Sequence, residues 1–137
     1  MIGLHKIQMS YPVEQSRLTV LQDVNLEIAA GESVAVIGPS GSGKTTLIKS
    51  ILGMVCPDRG SILLEGAPIR GEWAYRNRIG YLPQIAEFPS NLAVAELFSM
   101  IADLRQQEGQ SRPLIERFGL QPFMDKKLGT LSGGTRQ

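Results

Sequence analysis

Eight consecutive residues, Gly38-Pro39-Ser40-Gly41-Ser42-Gly43-Lys44-Thr45, carry the most specific chemistry in this chain. They fit the pattern G-x-x-x-x-G-K-[ST] in full. Glycines let a backbone bend tightly around an anion, so that successive N–H groups converge on phosphate oxygens. A helix opening at Lys44 adds the partial positive charge of its N-terminus. Lys44 supplies a compact cation between β- and γ-oxygens, and the Thr45 hydroxyl is a ligand for Mg²⁺. Thr46, next on the same helical turn, completes the candidate phosphate-binding set. A glycine-rich turn with an accidental Lys-Thr would arise in roughly one such chain in a few hundred from average composition. The motif also demands a buried strand before it and a helix after it, and the sequence predicts both.

The strand before the loop is Ser33–Ile37, where Val34, Ala35, Val36 and Ile37 form the continuous apolar run of a strand buried on both faces. The helix after it places Leu47, Ile48, Ile51 and Leu52 on one face, with Gly53 as its C-terminal stop. Upstream, residues 2–10 and 18–29 alternate loosely between apolar and polar, as antiparallel strands do, and Gly31-Glu32 makes a turn. Pro57-Asp58-Arg59-Gly60 is a turn tetrad leading into a short strand at Ser61–Glu65. Ile79–Leu82 reads as another short buried strand. Farther on, Val94, Leu97, Phe98, Ile101 and Leu104 keep helical spacing over about 92–106, and a second helix runs from Ser111 as N-cap to near Gly119.

The remaining composition excludes much. The chain has 137 residues, 14 Lys plus Arg against 13 Asp plus Glu, and a net charge of +1. That balance argues against a nucleic-acid partner, whose phosphates need a basic surface. One cysteine, Cys56, excludes an internal disulfide and a multi-cysteine metal site, and it reads as a small apolar filler. One histidine, His5, excludes paired-histidine chemistry. No apolar run reaches the length of about eighteen residues that a membrane span needs, and no secretory leader pattern is present. Trp73, Tyr75, Phe98 and Met100 read as packing or surface residues.

A second motif narrows the families that a phosphate loop leaves open. Leu131-Ser132-Gly133-Gly134-Thr135-Arg136-Gln137 resembles the Leu-Ser-Gly-Gly-Gln signature of ABC-type ATPases, and Leu131 follows Gly38 by 93 positions (131 − 38) across a predicted helical segment. Tyr11 resembles the aromatic residue that stacks on adenine in that family. Gln84, in Tyr81-Leu82-Pro83-Gln84, resembles the glutamine that ends a core strand and reaches towards Mg²⁺ and the attacking water. Leu21-Gln22-Asp23-Val24-Asn25-Leu26 and Pro57-Asp58-Arg59-Gly60-Ser61-Ile62 also have the family's look. Each match alone has a bland alternative: a strand-capping tyrosine, a solvated loop glutamine, a flexible Ser-Gly-Gly turn. Their order and spacing around a full phosphate loop make coincidence a poor explanation for the set.

The resemblance spans residues 1–137 and implies an α/β P-loop fold of the ABC type. Its parts would be an antiparallel β subdomain, a partial parallel core sheet and a helical subdomain, stopping before the strand that carries the Walker B acidic residues. About 1–84 would be the nucleotide-binding core and β subdomain, and about 85–137 the helical subdomain with the signature. ATP and Mg²⁺ are the implied ligands, with Lys44 and Gln84 in the catalytic roles, Tyr11 and Gly38–Thr46 on ATP, and Thr45 and Gln84 on Mg²⁺. In the family two such domains pair head to tail, so Ser132, Gly133 and Gly134 would contact the ATP of a second ATP-binding subunit. Closure and opening would drive a membrane subunit through a surface around 84–105, at the cytoplasmic, inner face of the cell membrane.

Two departures stand out. Thr135 occupies the signature's usual glutamine position, and Ala93 stands where a threonine is usual before the long helix, which leaves Ser90 or Asn91 to cap it. The Asp-Glu pair that closes the family's next strand, and the histidine beyond it, are not among these residues. The expectation is that this chain alone binds nucleotide weakly, hydrolyses little or none, and exposes apolar surface on the phosphate-loop strand. Three other readings remain: a non-hydrolysing remnant or regulatory partner, a chromosome-maintenance ATPase of the ABC type, and a small-molecule kinase. The 93-residue separation (131 − 38) without a heptad run disfavours the second of these, and Leu131–Gly134 disfavours the third.

Overall fold

The computed structural model describes residues 1–69, 73–84, 88–106 and 111–136. The chain divides into two compact units, Met1–Gly80 and Tyr81–Gln137.

The first unit is built on a four-stranded antiparallel sheet in the order β2-β1-β3-β4. These strands are β1 (Ile2–Val13), β2 (Ser16–Ile28), β3 (Arg59–Leu64) and β4 (Ala67–Pro68). The loose alternation of the first strand has a structural cause. Leu4 and Ile7 are both fully buried, although a strand of period two would turn them to opposite faces. Between the pairs Leu4–Leu26 and Ile7–Val24, β1 spends two residues where β2 spends one, and Lys6 takes φ 51°. This bulge re-phases the strand. Asn25, the odd residue opposite, accepts the Lys6 N–H on Oδ1 at 2.9 Å. Asn25→Ala removes that acceptor, and the expected loss of stability is about 1 kcal/mol, read by chemical denaturation. Gly60 lies across from the same bulge at φ 95°, where a Cβ would stand 2.5 Å from the carbonyl oxygens of His5 and Lys6.

Leu4, Ile7, Met9, Leu21 and Ile62 from the sheet form the first core with Leu47, and Tyr11, Val24 and Ile51 pack at its edge. Leu47 comes from α1 (Lys44–Ile51), the helix after the phosphate loop. The helix ends as predicted: Gly53 (φ 64°) donates to Ser50 O at 3.0 Å and Met54 to Lys49 O at 2.9 Å, the paired bonds of a Schellman stop. Arg76, in a short 3₁₀ turn at Ala74–Arg78, donates to the Gly53 carbonyl at 2.7 Å. Arg78 in the same turn pairs with Glu65, and this hydrogen bond holds the Glu65 carboxyl below its ordinary value. Both side chains stand in solvent, so the pair adds little.

Three local expectations are corrected. Ser33–Ile37 is irregular and forms no ladder among the described residues, and Val34, Val36 and Ile37 are exposed, Ile37 by 91%. Ile79–Leu82 likewise joins no ladder among the described residues, with Leu82 exposed by 74%. A strand is fixed by its neighbours, and neither run has a partner strand among the described residues. The apolar exposure expected at the phosphate-loop segment is therefore present. Cys56 is exposed, not a core filler.

The second unit is mainly helical: α2 (Val94–Arg105), α3 (Arg112–Arg117), two further 3₁₀ turns and α4 (Gly133–Arg136). Ser111 is the N-cap residue of α3, without a side-chain bond. Neither Ser90 nor Asn91 caps α2. The helix starts too late for them, at Ala93, whose N–H is accepted by Glu96 Oε2 at 2.7 Å. Val94, Leu128 and Leu131 form this unit's core, with Leu92, Leu97, Phe98, Phe123 and Met124 around it. Backbone bonds from Leu128 to Leu92 O and from Gly129 to Ser90 O, both 2.9 Å, strap the entry of α2 to the segment before the signature. Of the 84–105 stretch expected to meet a membrane subunit, residues 85–87 lie outside the described ones, as does Gln137 of the signature.

Candidate functional site

The Gly38–Thr45 loop joins the exposed Ser33–Ile37 segment to α1 and is open to solvent along Gly38–Ser42. It curls back on itself: Ser42 N–H donates to Pro39 O at 3.3 Å, and a Cβ on Gly38 would meet Ser42 Oγ at 2.8 Å. Gly43 closes the loop in the left-handed region (φ 89°) as the N-cap of α1, and no side chain caps the helix. No acidic residue occupies the first turn either. The N-terminal charge of α1 is therefore uncompensated where the loop opens. Behind the loop stands β2. A Cβ on Gly43 would lie 2.8 Å from Val20 O and 3.1 Å from Leu21 Cδ2, so the backbone is pressed directly on that strand.

Lys44 Nζ turns into the loop, donating to the carbonyls of Gly38 at 2.8 Å and Pro39 at 2.7 Å, with Ser42 Oγ at 3.5 Å. The ammonium thus stands in the loop's own concavity, held by neutral acceptors that a phosphate oxygen outcompetes. Thr45 is exposed, and Thr46 is half-buried with its carbonyl taken by Ser50 Oγ at 2.8 Å. A cavity of about 230 Å³ opens at the other end of α1, lined among others by Gly53, Val55, Pro57, Asp58 and Ile62. It lies at the C-terminal end of the helix, where Arg76 already donates to the Gly53 carbonyl, and Arg59 also lines it.

Tyr11 belongs to the same unit as the loop. It pairs with Leu18 of β2, two residues from the Val20 that backs Gly43, and packs half-buried against the first core. Gln84 is exposed and lies in the second unit, as do Ser132, Gly133 and Gly134. Leu131 is buried and anchors the signature. Ser132 then opens α4: its Oγ accepts the Thr135 N–H at 3.3 Å and meets Thr135 Oγ1 at 2.8 Å. Thr135 thus spends its hydroxyl on the neighbouring serine, a contact its place at the signature's fifth position did not suggest. The cap by Glu96 was readable from its spacing three residues after Ala93. The inward fold of Lys44 was not, since nothing in the motif fixes that rotamer.

Among the described residues no group of three or more His, Cys, Asp or Glu could hold a metal ion by itself. A divalent ion here would rely on nucleotide phosphates together with the Thr45 hydroxyl, a fit for Mg²⁺, which keeps few protein ligands in such sites. No described helix is long and apolar enough to cross a membrane.

Comparison with known proteins agrees with the motifs. The family model described as "ABC transporter" matches residues 21–137. A "Probable ABC transporter ATP-binding protein in ycf23-apcF intergenic region" of Cyanophora paradoxa is 31% identical, over 99% of this chain and 57% of its own length. The taurine import ATP-binding protein TauB of Pseudomonas entomophila is 32% identical, over 100% of this chain and 53% of its own. The chain thus spans about half the length of these curated relatives. In structure, the dimeric MJ0796, a bacterial ABC transporter cassette, superposes with a TM-score of 0.85 at 24% identity, covering 99% of this chain and 65% of that one, which shows the fold. The chain belongs to the ABC transporter family, among its ATP-binding subunits.

Proposed function

We propose that this chain binds ATP with Mg²⁺ and that the whole protein hydrolyses it to power solute transport through a partner membrane subunit. The inward-turned Lys44 in the Gly38–Thr45 loop is the observation that carries this reading. Lys44 would leave the Gly38 and Pro39 carbonyls for β- and γ-oxygens, the N–H groups of Gly41–Thr46 would donate to the remaining phosphate oxygens, and Thr45 would ligate Mg²⁺. Tyr11 would stack on adenine, and Gln84 would reach Mg²⁺ and the attacking water. Ser132, Gly133 and Gly134 would face the nucleotide of a second ATP-binding subunit in a head-to-tail dimer, with MJ0796, a dimeric cassette, as precedent. The protein would work at the cytoplasmic face of the membrane, with about 1–84 as nucleotide-binding core and about 85–137 as helical subdomain.

Relatives named for taurine import and for zinc transport both share this likeness, which supports reading the substrate as set outside these residues. No Asp-Glu pair following an apolar run stands in these 137 residues to hold Mg²⁺ and polarise water. Titration calorimetry of the 137-residue chain with Mg²⁺–ATP, run beside a phosphate-release assay, tests both halves. The expected outcome is measurable binding with release at the background rate. Absence of binding contradicts the nucleotide reading. Steady turnover contradicts the placing of water activation in elements outside these residues.

A further inference from the structure

The ladder between β1 and β3 ends at the Gln8–Arg59 pair. One side chain takes over where it stops. Asp58 donates its own N–H to Gln8 O at 2.8 Å and accepts the Ser10 N–H on Oδ2 at 2.8 Å. Arg17 Nη2 reaches Asp58 Oδ1 at 3.2 Å and Oδ2 at 3.3 Å, and also the Ser10 carbonyl at 3.4 Å. Both backbone groups of Ser10 are therefore held by this pair, the N–H by Asp58 and the C=O by Arg17. Ser10 is the immediate neighbour of Tyr11, and Arg17 is the neighbour of Leu18, the residue paired with Tyr11.

An ion pair with side chains 63% and 39% exposed stabilises a fold very little. Its placement is what matters. The register of β1 against β2 slips between Met9 and Ser10, and the β3 ladder has already ended at Gln8, so on that side no described strand holds the Ser10 peptide. A carboxylate there replaces the missing strand partner, and a guanidinium from β2 locks it across the hairpin. The ring that follows inherits that fixed backbone.

We propose that Asp58 and Arg17 are positioning residues for Tyr11, fixing the Ser10 peptide so that the Tyr11 ring is held at the angle at which it stacks on a purine base whose phosphates occupy the Gly38–Thr45 loop. This rests on the reading of Tyr11 as the base-stacking residue. One base stacked on one aromatic ring corresponds to about a 5- to 150-fold change in affinity. A tilted ring forfeits part of that and leaves the phosphates alone.

The test compares Mg²⁺–ATP with Mg²⁺–tripolyphosphate, which offers the phosphates without a base, on the 137-residue chain by titration calorimetry. Tyr11→Ala is expected to weaken ATP about 10-fold and tripolyphosphate less than about twofold. Asp58→Asn and Arg17→Met should each weaken ATP about 3- to 5-fold with tripolyphosphate unchanged, and Asp58→Asn added to Tyr11→Ala should cause no further loss. Equal losses for both ligands would assign the pair a structural role and overturn the proposal. So would an unchanged ATP affinity in Asp58→Asn and Arg17→Met beside a weakened Tyr11→Ala. If Tyr11→Ala leaves the ratio of the two affinities unchanged, the stacking reading itself fails, and the positioning proposal falls with it. A wild-type chain that binds neither ligand overturns both. Arg17→Met keeps the side-chain stem and the strand, so its result stands even if Asp58→Asn folds poorly.

Discussion

Lys44→Ala is expected to lower the affinity of the chain for Mg²⁺–ATP by about 100-fold or more and to leave its thermal unfolding nearly unchanged. The first half follows from charge. Lys44 is the side-chain cation within Gly38–Thr45, and its Nζ stands 2.7–2.8 Å from the carbonyls lining the concavity where the phosphates are proposed to sit. Hydrogen bonds to a charged partner are worth about 1.5–3 kcal/mol each, and a tenfold change in affinity is about 1.4 kcal/mol, so losing two such bonds gives at least two decades. The second half follows from exposure. Gly38 and Pro39 lie open to solvent, so water replaces the ammonium at their carbonyls. Lys44→Arg should fall between, since the wider guanidinium keeps the charge and misfits a pocket shaped for a point cation. Calorimetry beside a melting curve reads both. An unchanged affinity in Lys44→Ala would remove the loop from the site.

Gly43→Ala should damage both folding and binding, and Gly41→Ala provides the comparison that isolates the reason. Both glycines are left-handed, at φ 89° and φ 81°. That conformation alone costs an alanine about 1–2 kcal/mol. At Gly41 nothing lies within 4 Å of the added carbon, whereas at Gly43 it meets the Val20 carbonyl oxygen at 2.8 Å and Val20 Cγ1 at 3.0 Å. Val20 stands at a register slip of β2, but Thr19 and Leu21 on either side of it pair with Ser10 and Met9 and limit how far its backbone can yield. The loop must shift away from β2, and the first turn of α1 shifts with it. The expected loss for Gly43→Ala is about 3 kcal/mol of stability with at least a tenfold loss of Mg²⁺–ATP affinity, against about 1–2 kcal/mol for Gly41→Ala. Equal stability losses for the two variants, by urea denaturation, would mean that β2 does not buttress the loop.

The local pieces that the sequence made legible are those whose signal is short-range. The Gly-Lys-Thr motif, α1 and its Gly53 stop, the β1–β2 hairpin and the turn at Gly31 depend on residues within a few positions of one another. What it hid depends on partners. The apolar run Val34–Ile37 has the composition of a buried strand, yet a strand exists only where another lies beside it, and none does among the described residues. Ile79–Leu82 fails for the same reason. The bulge at Lys6 is invisible in the alternation, because it is set by the Asn25 side chain from the next strand. In the site, the residue types and their order were readable from spacing. The rotamer of Lys44, the press of Val20 against Gly43 and the Asp58–Arg17 clamp were not, since each is a contact across 20 or more positions or a choice among rotamers.

If the Gly38–Thr45 loop holds a nucleotide's phosphates, its own amides must respond first when nucleotide binds. The most direct measurement is a backbone amide chemical-shift titration of the chain with Mg²⁺–ATP. The largest shifts are expected at Gly41, Ser42, Gly43, Lys44 and Thr45, whose N–H groups belong to the loop and the opening of α1, and the same set is expected with tripolyphosphate. Shifts that leave these amides in place and gather instead around Val55–Ile62, at the cavity beyond the opposite end of the helix, would contradict it.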